Sequence, residues 1–204
     1  MSDKYQGKYR IKSTRLQNWD YSWNALYFVT ICTQNRAFYF GDIEKGQMIL
    51  SEIGKIAKRC WYEIPKHYPF VELDEFVVMS NHIHGIVIIN HLNVAGAINP
   101  NGGDAMNRVC TDIINSNDGG AINFNGGITG NKNPMLSDGL SRIIRWYKGR
   151  VSFESRMIHA DFAWHTRFHD HIIRNDESFH RIRDYIYNNP LKWTDDKFSH
   201  EAES

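Results

Sequence analysis

The residues Met79–Ile88 read M-S-N-H-I-H-G-I-V-I, and they decide how the rest of the chain is understood. Glu75–Met79 is strand-like, Ser80-Asn81 is a turn dipeptide, and Ile83–Ile89 is an almost unbroken run of β-branched and apolar residues, which together predict a tight hairpin. Side chains alternate between the faces of a strand, so His82 and His84 project together, roughly 6 to 7 Å apart along the strand. Two neutral imidazoles at that spacing suit one divalent metal and leave positions open for a third residue, water or a phosphate oxygen. The same pattern also fits two buried histidines satisfied by hydrogen bonds, and H-x-H alone does not separate the two.

Working outward, Ala25–Thr33 (A-L-Y-F-V-T-I-C-T) is too apolar to have one wet face and is expected at the centre of a sheet. Phe38–Phe40 and Met48–Leu50 flank the turn-rich stretch Gly41–Gly46 and predict a peripheral hairpin. Ser51 offers an N-cap to a helix in which Ile53, Ile56, Ala57, Cys60, Trp61 and Ile64 recur at helical spacing up to Pro65. The hairpin pair follows, as Phe70–Met79 and His82–Asn90. A second helix is marked by Leu140, Ile143, Ile144, Tyr147 and Val151, with Ser137 or Asp138 as cap, and a last strand is expected over Arg167–Ile173. Strand-helix-strand-strand-helix-strand is the order of an α+β, ferredoxin-like split β-α-β antiparallel sheet with helices packed on one face.

Between the hairpin and the second helix the composition changes. Residues 91–137 hold ten Asn and eight Gly with no sustained apolar period, too little apolar surface to offset the chain entropy of ordering them. Within them G-A-I-N-P-N-G-G (Gly96–Gly103) recurs as G-A-I-N-F-N-G-G (Gly120–Gly127). The expectation is one domain built from 1–90 and 138–204, interrupted by a low-complexity, flexible insertion with an internal duplication.

A composition of 42% hydrophobic and 23% charged residues is that of an ordinary globular domain, and a net charge of +1 means that attraction to phosphate must come from local clusters. Cys32, Cys60 and Cys110 are odd in number and lack metal-ligand spacing, which points to free thiols in a reducing compartment. The polar N-terminus lacks an apolar signal core and no run approaches 18 apolar residues, so a cytoplasmic protein without a membrane partner is expected. Two basic clusters stand out. Lys8, Arg10, Lys12 and Arg15 are interleaved with Tyr5 and Tyr9 and followed by Trp19 and Tyr21, and Arg142, Arg145 and Lys148 fall three apart on the second helix. Cations beside aromatic rings suit single-stranded nucleic acid, and a basic ridge suits a phosphate backbone; solvated faces are the plain alternative for both. His165, His169 and His171 alternate with apolar residues around the last strand and read either as a second metal cluster or as residues that pack or touch nucleic acid.

A final helix is predicted from a cap at Asp176 to Asn189, stopped by Pro190, with Phe179, Ile182 and Ile186 as its core stripe. On a 3.6-residue wheel Tyr185 lies about 100° from that stripe, at the border between buried and wet, and Asn189 follows one turn later on the same side. Tyr147 falls on the apolar stripe of its own helix and reads as core, and Tyr187 is rotated about 200° from Tyr185.

Three stretches, Arg10–Thr33, Met79–Ile88 and Asp184–Leu191 (D-Y-I-Y-N-N-P-L), resemble the REP-associated tyrosine transposases, relatives of the IS200/IS605-like single-tyrosine transposases within the HUH nuclease superfamily. The resemblance covers nearly the whole chain except the insertion. It implies a metal-dependent single-stranded or hairpin DNA endonuclease and strand transferase that forms a covalent 5′-phosphotyrosine. It also implies Tyr185 as nucleophile, His82, His84 and Asn189 as ligands to Mg²⁺ or Mn²⁺, and a palindromic repeat as DNA partner. The protein would act as a monomer or as a homodimer that exchanges tyrosine helices. The alternatives are a catalytically inactive nucleic-acid-binding descendant of the family and a metal-dependent phosphohydrolase with an activated water.

Overall fold

The structure is a computed structural model that describes residues 4–5, 8–9, 19–91 and 139–195, with backbone alone at 4–5, 8–9 and 194–195. Residues 92–137 of the insertion with its duplication, Cys110 and Ser137 among them, and Asp138, Arg10, Lys12 and Arg15 lie outside the described residues, as does the side chain of Lys8. In chain order the elements are β1 (Lys4–Tyr5), β2 (Lys8–Tyr9), β3 (Ala25–Cys32), β4 (Gly41–Glu44), β5 (Gln47–Leu50), α1 (Glu52–His67), β6 (Val71–Val78), β7 (His82–Ile89), α2 (Leu140–Ser155), β8 (His169–Ile173) and α3 (Asp176–Asn188). A 3₁₀ segment, Pro190–Asp195, follows α3. No described helix is long and apolar enough to cross a membrane.

The main sheet has the order β6-β7-β3-β8, all neighbours antiparallel. This is the split β-α-β arrangement expected from the order of elements, with the apolar β3 and β7 as its two central strands. All eight residues of β7 are buried, which explains why Ile83–Ile89 reads as a continuous apolar run rather than an alternating one. The pairs β1–β2 and β4–β5 form two separate ribbons. In the second, Lys45 and Gly46 take φ of 50° and 75° at the turn, so Gly41, expected in the turn, instead opens a strand.

The two faces of the sheet are covered differently. Gly85 and Phe76 are directly paired and point to the same side, where the Trp61 ring of α1 stacks on Phe76 at 4.6 Å and 11°. A Cβ on Gly85 would run into the Trp61 ring, so the glycine is what lets the indole lie flat on the strand. Tyr147 of α2 meets Trp61 edge-on at 5.3 Å and donates its hydroxyl to the Ala57 carbonyl at 3.1 Å, which makes it core, as its place on the apolar stripe predicts. The two crossover helices therefore share one face. The third helix lies on the other, against β6, with Phe179 and Ile186 buried.

Cap positions differ from expectation at both later helices. The N-cap of α2 is Gly139, with no side-chain cap; its first amide, on Leu140, donates to the Tyr21 carbonyl at 3.0 Å, and Gly139 is pressed so close to Tyr21 that a side chain would not fit. The N-cap of α3 is Asn175 rather than Asp176, because the Asn175 Oδ1 accepts from the Ser178 amide at 2.8 Å. Ser51 caps α1 as expected, accepting from Gly54 at 3.1 Å, and that helix continues two residues past Pro65. The last strand is shorter than expected, beginning at His169 after an isolated bridge between Thr33 and Trp164.

Replacing Gly85 by valine forces a branched side chain into the Trp61–Phe76 stack. We expect a loss of about 1–3 kcal/mol or more, read as a lower urea midpoint at unchanged m-value.

Candidate active site

Register builds the site. Thr30 of β3 is directly opposite His84 of β7, and Cys32 is opposite His82, so both imidazoles emerge on the face away from α1 and α2. His82 is 0% and His84 2% exposed. The outer nitrogen of each ring is held. The Asn81 amide donates to the Arg36 carbonyl at 3.1 Å, which turns its Oδ1 toward His82 Nδ1 at 2.9 Å. His82 therefore carries its proton on Nδ1 and presents a lone pair at Nε2. His84 Nδ1 lies 2.8 Å from Thr30 Oγ1. Phe28, one step along the same face of β3, stacks on the His84 ring at 5.3 Å.

The inner nitrogens meet, with His82 Nε2 and His84 Nε2 3.0 Å apart. The sheet spacing of 6 to 7 Å expected from the sequence is a backbone distance; the rings close it by tilting toward one another. Two nitrogens bound at about 2.1 Å to one ion with octahedral angles are also about 3 Å apart. The pair thus fits a single cation, with outer hydrogen bonds of the kind that orient metal-ligating histidines. Among the described residues no group of three His, Cys, Asp or Glu stands together as a metal site. Among the described residues, a third protein ligand would therefore be an amide, hydroxyl or backbone carbonyl oxygen.

Helix α3 supplies the remaining groups. Tyr185 is 41% exposed and its hydroxyl lies 3.2 Å from His84 Nε2, with its ring edge-on to Phe28 at 6.1 Å. Asn189 is the C-cap of α3, one turn beyond Tyr185, and is 2% exposed. The helix is anchored by Arg183, whose Nε lies 2.8 Å from Asp74 Oδ1 and whose Nη2 is 3.7 Å from Glu75 Oε2. Asp74 and Glu75 occupy the β-bulge of β6 between Leu73 and Phe76, and the extra residue there turns the Asp74 carboxylate inward beneath the helix. After Pro190 the chain folds back, and the Trp193 ring comes to 6.0 Å from His82 and 6.2 Å from Phe38.

The structure thus brings Tyr185 to His84 and places Asn189 on the same helix one turn away. Tyr187 is exposed and turned from the site. The basic ridge is divided: Arg142 and Arg145 are exposed on α2, across the sheet from the imidazoles, while the Lys148 ammonium donates to the carbonyls of His165 at 2.6 Å and Thr166 at 3.4 Å. His165, His169 and His171 are exposed. Thr30, Phe28, Asn81 and Trp193 join the site as well, and the sequence alone does not point to them as site residues. Thr30 and Phe28 become visible only once β3 is set in register against β7. Asn81 carries a local signal, since it precedes the first histidine.

Burial lowers the pKa of Lys148 to about 8. Unfolded, the lysine keeps its proton to about 10.4, so between these values the unfolded chain binds more protons and stability from this group rises with pH. An NMR titration of methyl-labelled lysines should show Lys148 losing its proton first.

No protein-family model matches the chain. It is 32% identical over 199 residues to a Haemophilus influenzae protein described as uncharacterised, an alignment that spans 97% of this chain and 98% of the relative. The chain belongs to the same family as that protein. Among solved structures, a REP-associated tyrosine transposase bound to a REP hairpin is similar with a TM-score of 0.52 and 18% identity, over 89% of this chain and 74% of that one. A putative transposase from Deinococcus radiodurans is a more remote likeness, with a TM-score of 0.40 and 12% identity over 87% of this chain and 97% of that one. The chain shares the fold of the REP-associated transposase.

Proposed function

We propose that this protein is a metal-dependent endonuclease and strand transferase for single-stranded or hairpin DNA that works through a covalent 5′-phosphotyrosine on Tyr185. The observation that carries the reading is the 3.2 Å approach of the Tyr185 hydroxyl to His84 Nε2, at the point where two inward-facing imidazole nitrogens meet. A phenol is a weak nucleophile, and placing it beside a cation site is what phosphoryl transfer requires of it. The shared fold with a transposase bound to a REP hairpin supports a DNA hairpin as the partner.

His82, His84 and Asn189 would hold Mg²⁺ or Mn²⁺, two nitrogens and an amide oxygen forming a donor set that Mn²⁺ in particular accepts. When bound, the ion polarises the scissile phosphate and offsets the charge that develops on it. The chain's own residues do the rest. The Tyr185 oxygen forms a bond to phosphorus, the bond from phosphorus to the 3′-oxygen breaks, the phenolic proton passes to water, and the departing oxygen takes up a proton to leave a free 3′-hydroxyl. A 3′-hydroxyl attacking the phosphotyrosine reverses the same bonds and completes strand transfer. Thr30 and Asn81 keep the rings turned so that both Nε2 atoms face inward, and Phe28 supports His84 and Tyr185 from one side.

Incubation with a labelled hairpin oligonucleotide and Mn²⁺ should yield cleavage and an SDS-resistant adduct that mass spectrometry places on Tyr185. Tyr185→Phe should abolish both, by about a thousandfold or more. Cleavage by that variant at the parent rate, or an adduct on another residue, would overturn the assignment. Thr30→Val removes the hydrogen bond to His84 without touching DNA or ion, and Mn²⁺ affinity should weaken about 10- to 100-fold.

Because Tyr185 reaches an imidazole of its own chain, the reaction is proposed to run within one subunit. A mixture of Tyr185→Phe and His84→Ala proteins should then stay inactive, whereas recovered cleavage would mean that helices are exchanged between copies.

A further inference from the structure

The face of the sheet that carries His84 is only half covered. Helix α3 is tied to the β6 edge by Arg183 and Asp74, and the β8 edge of the same face is left as a shelf. Register fixes what lies on it. His169 is opposite Thr30 and His171 opposite Phe28, so both histidines point to the side on which His84 and Tyr185 meet. Arg181, one turn before Tyr185 on α3, lines two openings. One is a cleft of about 450 Å³ with Tyr185, Asp184, Asn188 and Lys192. The other is a cleft of about 530 Å³ between β8 and the start of α3, walled by His171, Arg174 and Tyr21 together with the carboxylates of Asp170 and Glu177.

We propose that this shelf is a groove for single-stranded nucleic acid, leading from Tyr185 past Arg181 into the cleft at the start of α3, where one nucleotide is seated with its phosphate between Arg174 and Arg181. The size of the cleft falls in the range of small-molecule sites, about 300–1,000 Å³. Cations for phosphates along a groove with exposed rings for bases are the makings of a sequence-tolerant single-strand site. The crowding is visible at His171, whose pKa is lowered first by burial and then by the charges of His169, Arg174 and Arg181, with Asp170 acting the other way. An anion among those groups relieves the repulsion. Asp170 and Glu177 leave room for a base edge with amino hydrogens to donate. The inference rests on the nucleic-acid reading of the site but not on its chemistry, and it gives His169 and His171 of β8 a role that a metal cluster does not.

The test is binding without cleavage. In EDTA, fluorescence anisotropy with a short random-sequence single-stranded DNA should show salt-sensitive binding by the full chain. The double variant Arg174→Gln/Arg181→Gln should bind more weakly, with the slope of log affinity against log salt reduced by about 1.4, two phosphates at about 0.7 each. Both arginines are exposed, so the thermal midpoint should be unchanged. Affinity for a blunt duplex of the same length should also be unchanged. Equal single-strand affinity in parent and variant, a duplex affinity that falls in parallel, or a parent that binds no single strand would overturn the groove. A failure of the phosphotyrosine chemistry would leave these results untouched, since adduct formation is scored separately with Mn²⁺.

Discussion

The arrangement depends on how β3 and β7 are set against each other. Side chains in a strand repeat every two residues, so a slip of one position would carry His82 and His84 to the face filled by Trp61 and Tyr147. Two features hold the register. Gly85, directly after His84 and on the opposite face, has no side chain where the Trp61 ring lies. Thr30 opposite His84 supplies a hydroxyl at 2.8 Å where the alternative registers would present Val29 or Ile31. The first is a packing constraint on one face and the second a polar constraint on the other. They act on adjacent residues of a single strand, which is why the motif is so compact in sequence.

The same strand shows how a buried polar pair is tolerated in an apolar sheet. His82 and His84 are removed from water, and each would be costly if its ring nitrogens had no partners. The outer nitrogens are satisfied by Asn81 and Thr30, and the inner ones face each other and Tyr185. Tyr185 itself stays partly exposed. One end of the network is therefore dry and fixed while the other opens to solvent, the condition under which a side chain can be both oriented and reached by a substrate. The bulge in β6 contributes by bringing a carboxylate under α3, so the helix that carries the phenol is fastened at its middle as well as through its apolar stripe.

Much of the fold could be read from the chain because its signals are local. The apolar runs of β3 and β7, the Ser51 cap and the helical stripe through Trp61 each declare an element on their own, and the order of elements leaves few ways to close a split sheet. The placement of Tyr185 at a helix border was likewise a matter of counting residues. What could not be read depends on contacts distant in sequence. The meeting of the two imidazoles at their inner nitrogens follows from ring tilt, and the support from Thr30 and Phe28 from pairing across 54 or more residues. The cap of α2 falls at Gly139 because the first amide of the helix is already bonded to Tyr21, in the turn before β3 and far away in sequence. The division of the basic ridge had the same origin: three cations at helical spacing look equivalent until the turn before β8 offers its carbonyls to Lys148 alone.

Why the third helix should sit on the opposite face from the other two follows from the connections. Helices α1 and α2 each join strands of the sheet and are confined to the side on which both crossovers pack. Helix α3 comes after the last strand and joins nothing further in the sheet, so it is free to cover the remaining face. With a stripe of only Phe179, Ile182 and Ile186 to bury, it covers part of that face and no more. It packs against β6, while β8, at the other edge of the sheet, carries histidines that tolerate water. A helix too narrow to close the sheet is thus what leaves both the phenol within reach of the imidazoles and the ground beside it open to a second molecule.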